Sequence, residues 1–447
     1  MLFSDISVII EMTRDSFPKE IRRDIKMMDR STYNAYLNIL KSELIVAMGC
    51  TEPIAIALAA ATAKKHLEGD VISVEAAVSG NIIKNVKSVK VPNTGGLRGI
   101  EAALAAGIVA GDAERELEVL SGIAESEIPK IAEFIKNVKI TVTEAVTSCV
   151  LDISIVLKSE LHTVRTRTAQ HHTGLCLIEV DGETVFSREP EVIVTEHDHS
   201  ALSIEGIIEF ADTANIDDVR ETLDRQIEYN TAIAKEGLTG KYGAAIGRTL
   251  LMSYGNTVHN RARALAAAGS DARMNGCELP VVINSGSGNQ GLTASLPVIV
   301  YAEHMGISRE LLYRALLVSN LTTIHLKTGI GCLSAYCGAI SAGCGAGAGV
   351  MYLHGGGLTE IEHTVVNALA INSGVVCDGA KASCAAKIAS AVESGLLAMQ
   401  MYMHGKEFYS GDGIVAGGVE ETIRNVGQLA RLGMAETDRE IIKIMMK

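Results

Sequence analysis

Five cysteines fall in the 53 residues from Cys332 to Cys384: Cys332, Cys337, Cys344, Cys377 and Cys384. Cys377 and Cys384 stand seven apart around an Asp-Gly turn in GVVCDGAKASCAAK, and Cys337 and Cys344 repeat that spacing. Seven residues are close to two helical turns, which puts such a pair near one helix face. The chain has nine cysteines, an odd number, and its N-terminal apolar run ISVII is far too short for a signal-peptide core. A disulfide framework is therefore disfavoured, and the thiols are expected to be reduced. Any one cysteine is most simply a small buried hydrophobe. Five together are what an iron–sulfur site needs, because soft thiolates hold such clusters. Zinc is the other metal reading, but the usual cysteine pairs separated by two residues are missing. Periodicity alone leaves open which three or four converge.

Cys50 offers a different chemistry. In GCTEP, Thr51 suits a helix N-cap and Glu52 and Pro53 its first turn, so Cys50 lies just outside a helix N-terminus. A thiol there is acidified by the helix dipole, which suits a general base near neutral pH. Binding of a small anion is the expectation for NSGSGNQG, where Ser285, Gly286, Ser287, Gly288, Asn289 and Gln290 could present backbone N–H groups as a nest. Asn93 and Thr94 in VPNTGG are similar candidates, although an ordinary tight turn explains either loop as well. His171, His172, His325 and Lys327 are further polar candidates, each equally explained by a structural role.

The elements that must position these residues follow from periodicity. From Thr32 to His66 the spacing predicts helix, in YNAYLNILKSELIVAMG and again in TEPIAIALAAATAKKH. DVISVEAAVSG, KNVKSVKVP, KNVKITVTEA, DISIVLKSE, HTVRTRTAQ and GLCLIEVDGETVFS alternate with period two and predict strands, with a tight hairpin at VDGETV. IEAALAAGIVAG and SEIPKIAEFIKN interrupt them as helices, and beyond Ser200 almost everything reads as helix. The expected class is α+β: residues 1–27 as a dispensable extension, 28–68 as helices packing on the catalytic domain, 69–199 as a mixed α/β domain, and 200–447 as a helical catalytic domain around buried Gly-rich helices.

With 447 residues the chain can bury a large core, and with no Trp and 43 glycines much of the packing must be done by small side chains. A formal charge of −13 with no long basic run gives no footprint for nucleic acid or an anionic membrane. Thr328 to Thr359 contains no Asp, Glu, Lys or Arg, yet it is mostly Gly, Ala, Ser and Cys without an aromatic belt, so it is expected to be a buried central helix and not a membrane span. A cytoplasmic location is the expectation.

GCTEP at 49–53, SGNIIKNV at 79–86, VPNTGG at 91–96, NSGSGNQG at 284–291, the Cys/Gly-rich run 331–349 and CDGAKASC at 377–384 together resemble the L-cysteine desulfidase family, related to the catalytic chain of iron–sulfur L-serine dehydratases. The likeness runs in order along nearly the whole chain beyond residue 28. It implies a [4Fe–4S] cluster held by Cys337, Cys377 and Cys384, with one iron left open, and Cys332 and Cys344 left to packing. The gap from Cys377 to Cys384 is shorter than that of the dehydratases, which favours the desulfidase branch. The implied activity is β-elimination of cysteine to sulfide, pyruvate and ammonia, with Cys50 as base and a small amino acid as the partner.

Two rivals are weighed against this. NSGSGNQG also resembles the substrate loop of pyridoxal-phosphate β-eliminating enzymes, but the Schiff-base lysine they need upstream has no counterpart, since no lysine occurs from Tyr242 through Leu326. A non-enzymatic metal- or thiol-storage protein would leave the polar Gly-rich loops without purpose. The sequence sets neither cysteine against its hydroxy analogues nor the oligomeric state, and a homo-oligomer stays open.

Overall fold

In the computed structural model, residues 28–48, 51–147, 149–190, 199–331 and 334–446 are described. Helix α1 (Arg30–Glu43) starts where Asp29 accepts from the amides of Ser31 and Thr32, and it buries Tyr36, Ile39 and Leu40 in a helical core. The expected continuation of this helix through SELIVAMG does not form. Instead β1 (Val46–Met48) pairs antiparallel with β8 (Pro280–Val282), a tertiary partner that overrides local propensity.

Helix α2 (Thr51–Lys65) belongs to a second core, with Ile54, Ala55, Ile56 and Ala59 packed against a six-stranded sheet. Residues 28–68 are thus shared, α1 with the helical core and α2 with the α/β core. The sheet comprises β2 (Ser73–Val78), β3 (Lys139–Glu144), β4 (Asp152–Lys158), β5 (Thr163–Ala169), β6 (Leu175–Val180) and β7 (Glu183–Ser187), in the order β3-β2-β4-β5-β6-β7. Only β2 and β3 run parallel, and α4 (Gly99–Ala110) and α5 (Ile128–Asn137) lie between them in the chain. The hairpin at VDGETV forms, with Asp181 and Gly182 both at positive φ (50° and 84°), the turn that matches strand twist. KNVKSVKVP is a correction. Its first residues end helix α3 (Gly80–Val86), because Ile82, Ile83 and Val86 fall on one helical face that the α/β core buries.

After residue 199 the described chain is helical apart from β8, close to expectation: α6 (Ile204–Thr213), α7 (Ile216–Thr239), α8 (Ile246–Tyr254), α9 (Val258–Met274), α10 (Gly288–Met305), α11 (Arg309–Ile330), α12 (Gly338–Leu353), α13 (Leu358–Ile371), α14 (Cys384–Met403), α15 (Val419–Gln428) and α16 (Ala435–Met446). Every residue of α12 from Ala339 to Leu353 is buried, and no described helix is long and apolar enough to cross a membrane. Its glycines are contact points. A Cβ on Gly343 would lie 2.2 Å from the Ala391 carbonyl oxygen, and one on Gly347 would lie 2.5 Å from that of Gly395. Both pairings rise together in sequence, so α12 and α14 run parallel. Gln290 against Gly338 and Val298 against Gly349 set α10 parallel to α12 in the same way. The N-termini of all three helices therefore lie at one end of the helical core.

Candidate active site

That end is where the cysteines meet. Cys337 is the N-cap of α12, and Cys384 is the first residue of α14. Cys377 reaches them through a short antiparallel ladder: Tyr336 bridges Val376, the Cys337 amide donates to Val375 O (2.9 Å), and the Cys377 amide donates to Ala335 O (2.6 Å). The Cys377–Cys384 loop then turns at Gly379, whose φ of +93° suits glycine and whose α-carbon faces Lys84 O so closely that a Cβ would sit 1.9 Å from it. Ala380 donates to the same carbonyl at 3.2 Å. Helix α3 of the α/β part thus buttresses the thiol loop.

The electrostatics divide the thiols. Hydrogen bonding to Cys377, reinforced by burial, keeps the proton on Cys337 and pushes it well above the usual thiol range. The same bond pulls Cys377 down against its burial, helped by Lys84, the Gly379 amide and Lys387, and makes it the thiolate of the pair. Burial raises Cys384, which interacts electrostatically with Cys377. Cys344 stands apart, fully enclosed inside α12 and pushed up to about 12 by burial alone against a weak backbone contact. None of the three helices at this end has a side-chain N-cap bond, and in α14 the first amides are taken by backbone carbonyls, Cys384 N by Lys381 O (3.0 Å) and Ala385 N by Ala382 O (3.3 Å). Asp378 orders the surrounding cations: burial would raise its carboxyl, but Lys381 and Lys387 hold it at about 2, and Lys387 Nζ also donates to Val376 O at 2.7 Å. Lys84, 5% exposed, pairs with Asp438 of α16 and reaches Ser334 O at 3.4 Å.

The Gly-rich loop arrives at the same place. Asn284 and Ser287 close a tight turn through reciprocal backbone bonds of 3.1 Å, with Ser285 and Gly286 at positive φ. The Ser287 amide is therefore spent on the turn and does not serve a nest. Asn284 is anchored on Asn320, which pairs in turn with Gln226, and this buried amide chain fixes the loop. From Gly288 the chain enters α10, and the Gln290 amide packs on Gly338, next to Cys337.

Other candidates lie elsewhere or have structural partners. Asn93 donates to Leu120 O (3.0 Å), and Thr94, 1% exposed, donates to Val91 O (2.8 Å) within its own loop. His325 pairs with Glu420 at 2.7 Å, and Lys327 donates to Gly331 O at 2.6 Å. Burial holds His172 below the usual imidazole range against a smaller pull from Glu52. Cys50 and Cys332 lie outside the described residues. Sequence reasoning passed over Lys84, Lys387 and Arg273 of α9. For Lys84 the available signal was a lone charge in a largely buried run, SGNIIKNV.

The model of the serine dehydratase alpha chain matches residues 114–443, which spans most of the helical core and the whole cysteine site. The chain belongs to the serine dehydratase alpha-chain family. Relatives cover almost its full length. A UPF0597 protein of Desulfitobacterium hafniense is 57% identical over 93% of this chain and 97% of its own, and one of Lachnoclostridium phytofermentans is 50% identical over 93% and 100%. One of Treponema denticola is 43% identical over 94% and 99%. Membership in the serine dehydratase alpha-chain family makes this chain a lyase-type protein acting on a small-molecule substrate. Among the described residues no three His, Cys, Asp or Glu side chains converge tightly enough to hold a single metal ion. The donor set at the helix ends is instead three thiols, Cys337 at the start of α12 and Cys377 and Cys384 at the two ends of one loop, with Lys84 and Lys387 close by, a chemistry that fits an anionic iron–sulfur group.

Proposed function

We propose that the protein is an L-cysteine desulfidase, cleaving the Cβ–Sγ bond of L-cysteine without net redox change to give sulfide, pyruvate and ammonia, with a [4Fe–4S] cluster on Cys337, Cys377 and Cys384. The observation that supports this is the gathering of Cys337 with the two thiols of the Cys377–Cys384 loop at one helical end, beside a polar Gly-rich loop. When bound, the cluster would supply a Lewis-acid iron for the departing sulfur. The remaining work falls to the chain. Lys84 and Lys387 balance thiolate charge. Cys50, directly before Thr51 at the start of α2, takes the Cα proton on its Sγ. The electrons of the broken C–H bond form the Cα=Cβ bond as Cβ–S breaks, and the released 2-aminoacrylate tautomerises to an imine that water hydrolyses. Asn289 and Gln290, in the first turn of α10 directly after the Asn284–Ser287 turn, belong to the substrate side of the site.

The family match favours a second reading, dehydration of L-serine or L-threonine by the same arrangement. A soft thiolate leaving group suits iron better than a hydroxyl, so cysteine is expected to have the higher kcat/KM. Anaerobic purification with iron and acid-labile sulfide analysis, followed by sulfide and pyruvate assays on both amino acids, decides between them. A clear serine preference would move the protein to the dehydratase reading, and a loaded cluster with no turnover of either would sink both.

A further inference from the structure

Three enclosed polar atoms without partners surround the start of α10: Arg273 Nε, Asn289 Oδ1 and Gln290 Oε1. Gln290 is 6% exposed, and a buried polar atom left unpaired is costly, so three in one neighbourhood call for a function. Their chemistry is complementary. One is a donor on a permanent cation and two are acceptors. A free α-amino acid presents the reverse set, a carboxylate that accepts and an ammonium that donates.

We propose that Arg273 binds the carboxylate of an α-amino acid whose ammonium group is received by the side-chain oxygens of Asn289 and Gln290. The arrangement follows from the helices. Arg273 against Gly288 and Gly269 against Leu292 make α9 antiparallel to α10, so the C-terminus of α9 lies at the end where the N-termini gather. A Cβ on Gly288 would lie 2.4 Å from Arg273 Nε, so glycine there lets the guanidinium lie on the first turn of α10, whose amides favour the same anion. On the neighbouring side of that turn, the Gln290 amide touches Gly338, one residue from Cys337. An amino acid held between these groups sits beside the thiol end of α12. This assignment rests on the amino-acid lyase reading and adds to it the residues that recognise the zwitterion.

The test uses anaerobically reconstituted holoprotein titrated calorimetrically with L-alanine, which has no leaving group, and with L-alaninamide, which has no carboxylate, alongside steady-state kinetics on L-cysteine and L-serine. Wild type should bind alanine at least about tenfold tighter than alaninamide. Arg273→Gln should weaken alanine roughly 10- to 100-fold, the loss of a charge-assisted hydrogen bond, leave alaninamide nearly unchanged, and raise KM more than it lowers kcat. Should Arg273→Gln fail to fold, Arg273→Lys makes the same comparison, with a smaller loss confined to alanine because the planar fork is gone. Equal weakening of both ligands, or of neither, overturns the assignment while leaving the lyase reading in place. A wild type that binds and turns over no amino acid overturns both.

Discussion

At the scale of single residues the thiols are not equivalent. Cys337→Ser, Cys377→Ser and Cys384→Ser should each abolish both the broad visible absorption and turnover, whereas Cys344→Ser should retain both, since Cys344 lies deep in α12. Absorption lost in Cys344→Ser but kept in Cys337→Ser would place the cluster on another face. Cys50→Ala separates the proposed base from the proposed ligands. The absorption should persist while kcat falls roughly 10²–10⁴-fold, the usual worth of general-base catalysis, and the α-proton of bound substrate should stop exchanging with deuterated solvent. The cysteine spacing was legible because it is written into the chain. What the spacing could not show is that Cys377 reaches Cys337 through a ladder between residues 335–337 and 375–377, a pairing with no local signature. Arg273 was invisible for the same reason: a guanidinium at a helix end is ordinary until Gly288 is seen against it.

At the scale of elements the determinants are close helix contacts. Gly347→Ala improves helix propensity by about 1 kcal/mol, but its Cβ would meet the Gly395 backbone at 2.5 Å, where nothing flexible can yield. Overpacking of about 1–3 kcal/mol should outweigh the gain, lowering the urea midpoint and parting the thiol-bearing ends of α12 and α14. A second element-level tie is Glu420 in the first turn of α15, which accepts from the Ile204 amide (2.8 Å) and pairs with His325 of α11. Burial works to raise its carboxyl, but His325 and the amide outweigh it, so the folded value is lowered. A lowered carboxyl contributes stability that is full above the unfolded value and is lost as pH falls through the folded one. The difference in urea midpoint between wild type and Glu420→Gln should therefore shrink on acidification from about pH 6 to about pH 3. Most helices and strands were readable from their periods. The failures, SELIVAMG and KNVKSVKVP, are short apolar runs where helix and strand patterns coincide and a distant partner decides.

At the scale of the whole molecule, two cores are fastened together at the site. Ile442 of α16 packs on the α/β core, and Asp438 one turn earlier neutralises Lys84 beside the thiol loop. Asp438→Ala leaves a nearly buried ammonium unpaired and should cost roughly 3–5 kcal/mol, read as a lower denaturation midpoint, while Lys84→Met with Asp438→Leu should recover most of the loss. If Asp438→Ala is no less stable than wild type, the pair does not fasten the cores. This fastening has a consequence for biosynthesis. The thiols come from positions 337 to 384, the helix that buttresses them from 80 to 86, and the counter-charge from 438. A growing chain therefore has no finished cradle around these thiols until the segment carrying Asp438 has been made and docked, so the site is among the last features of the fold to form.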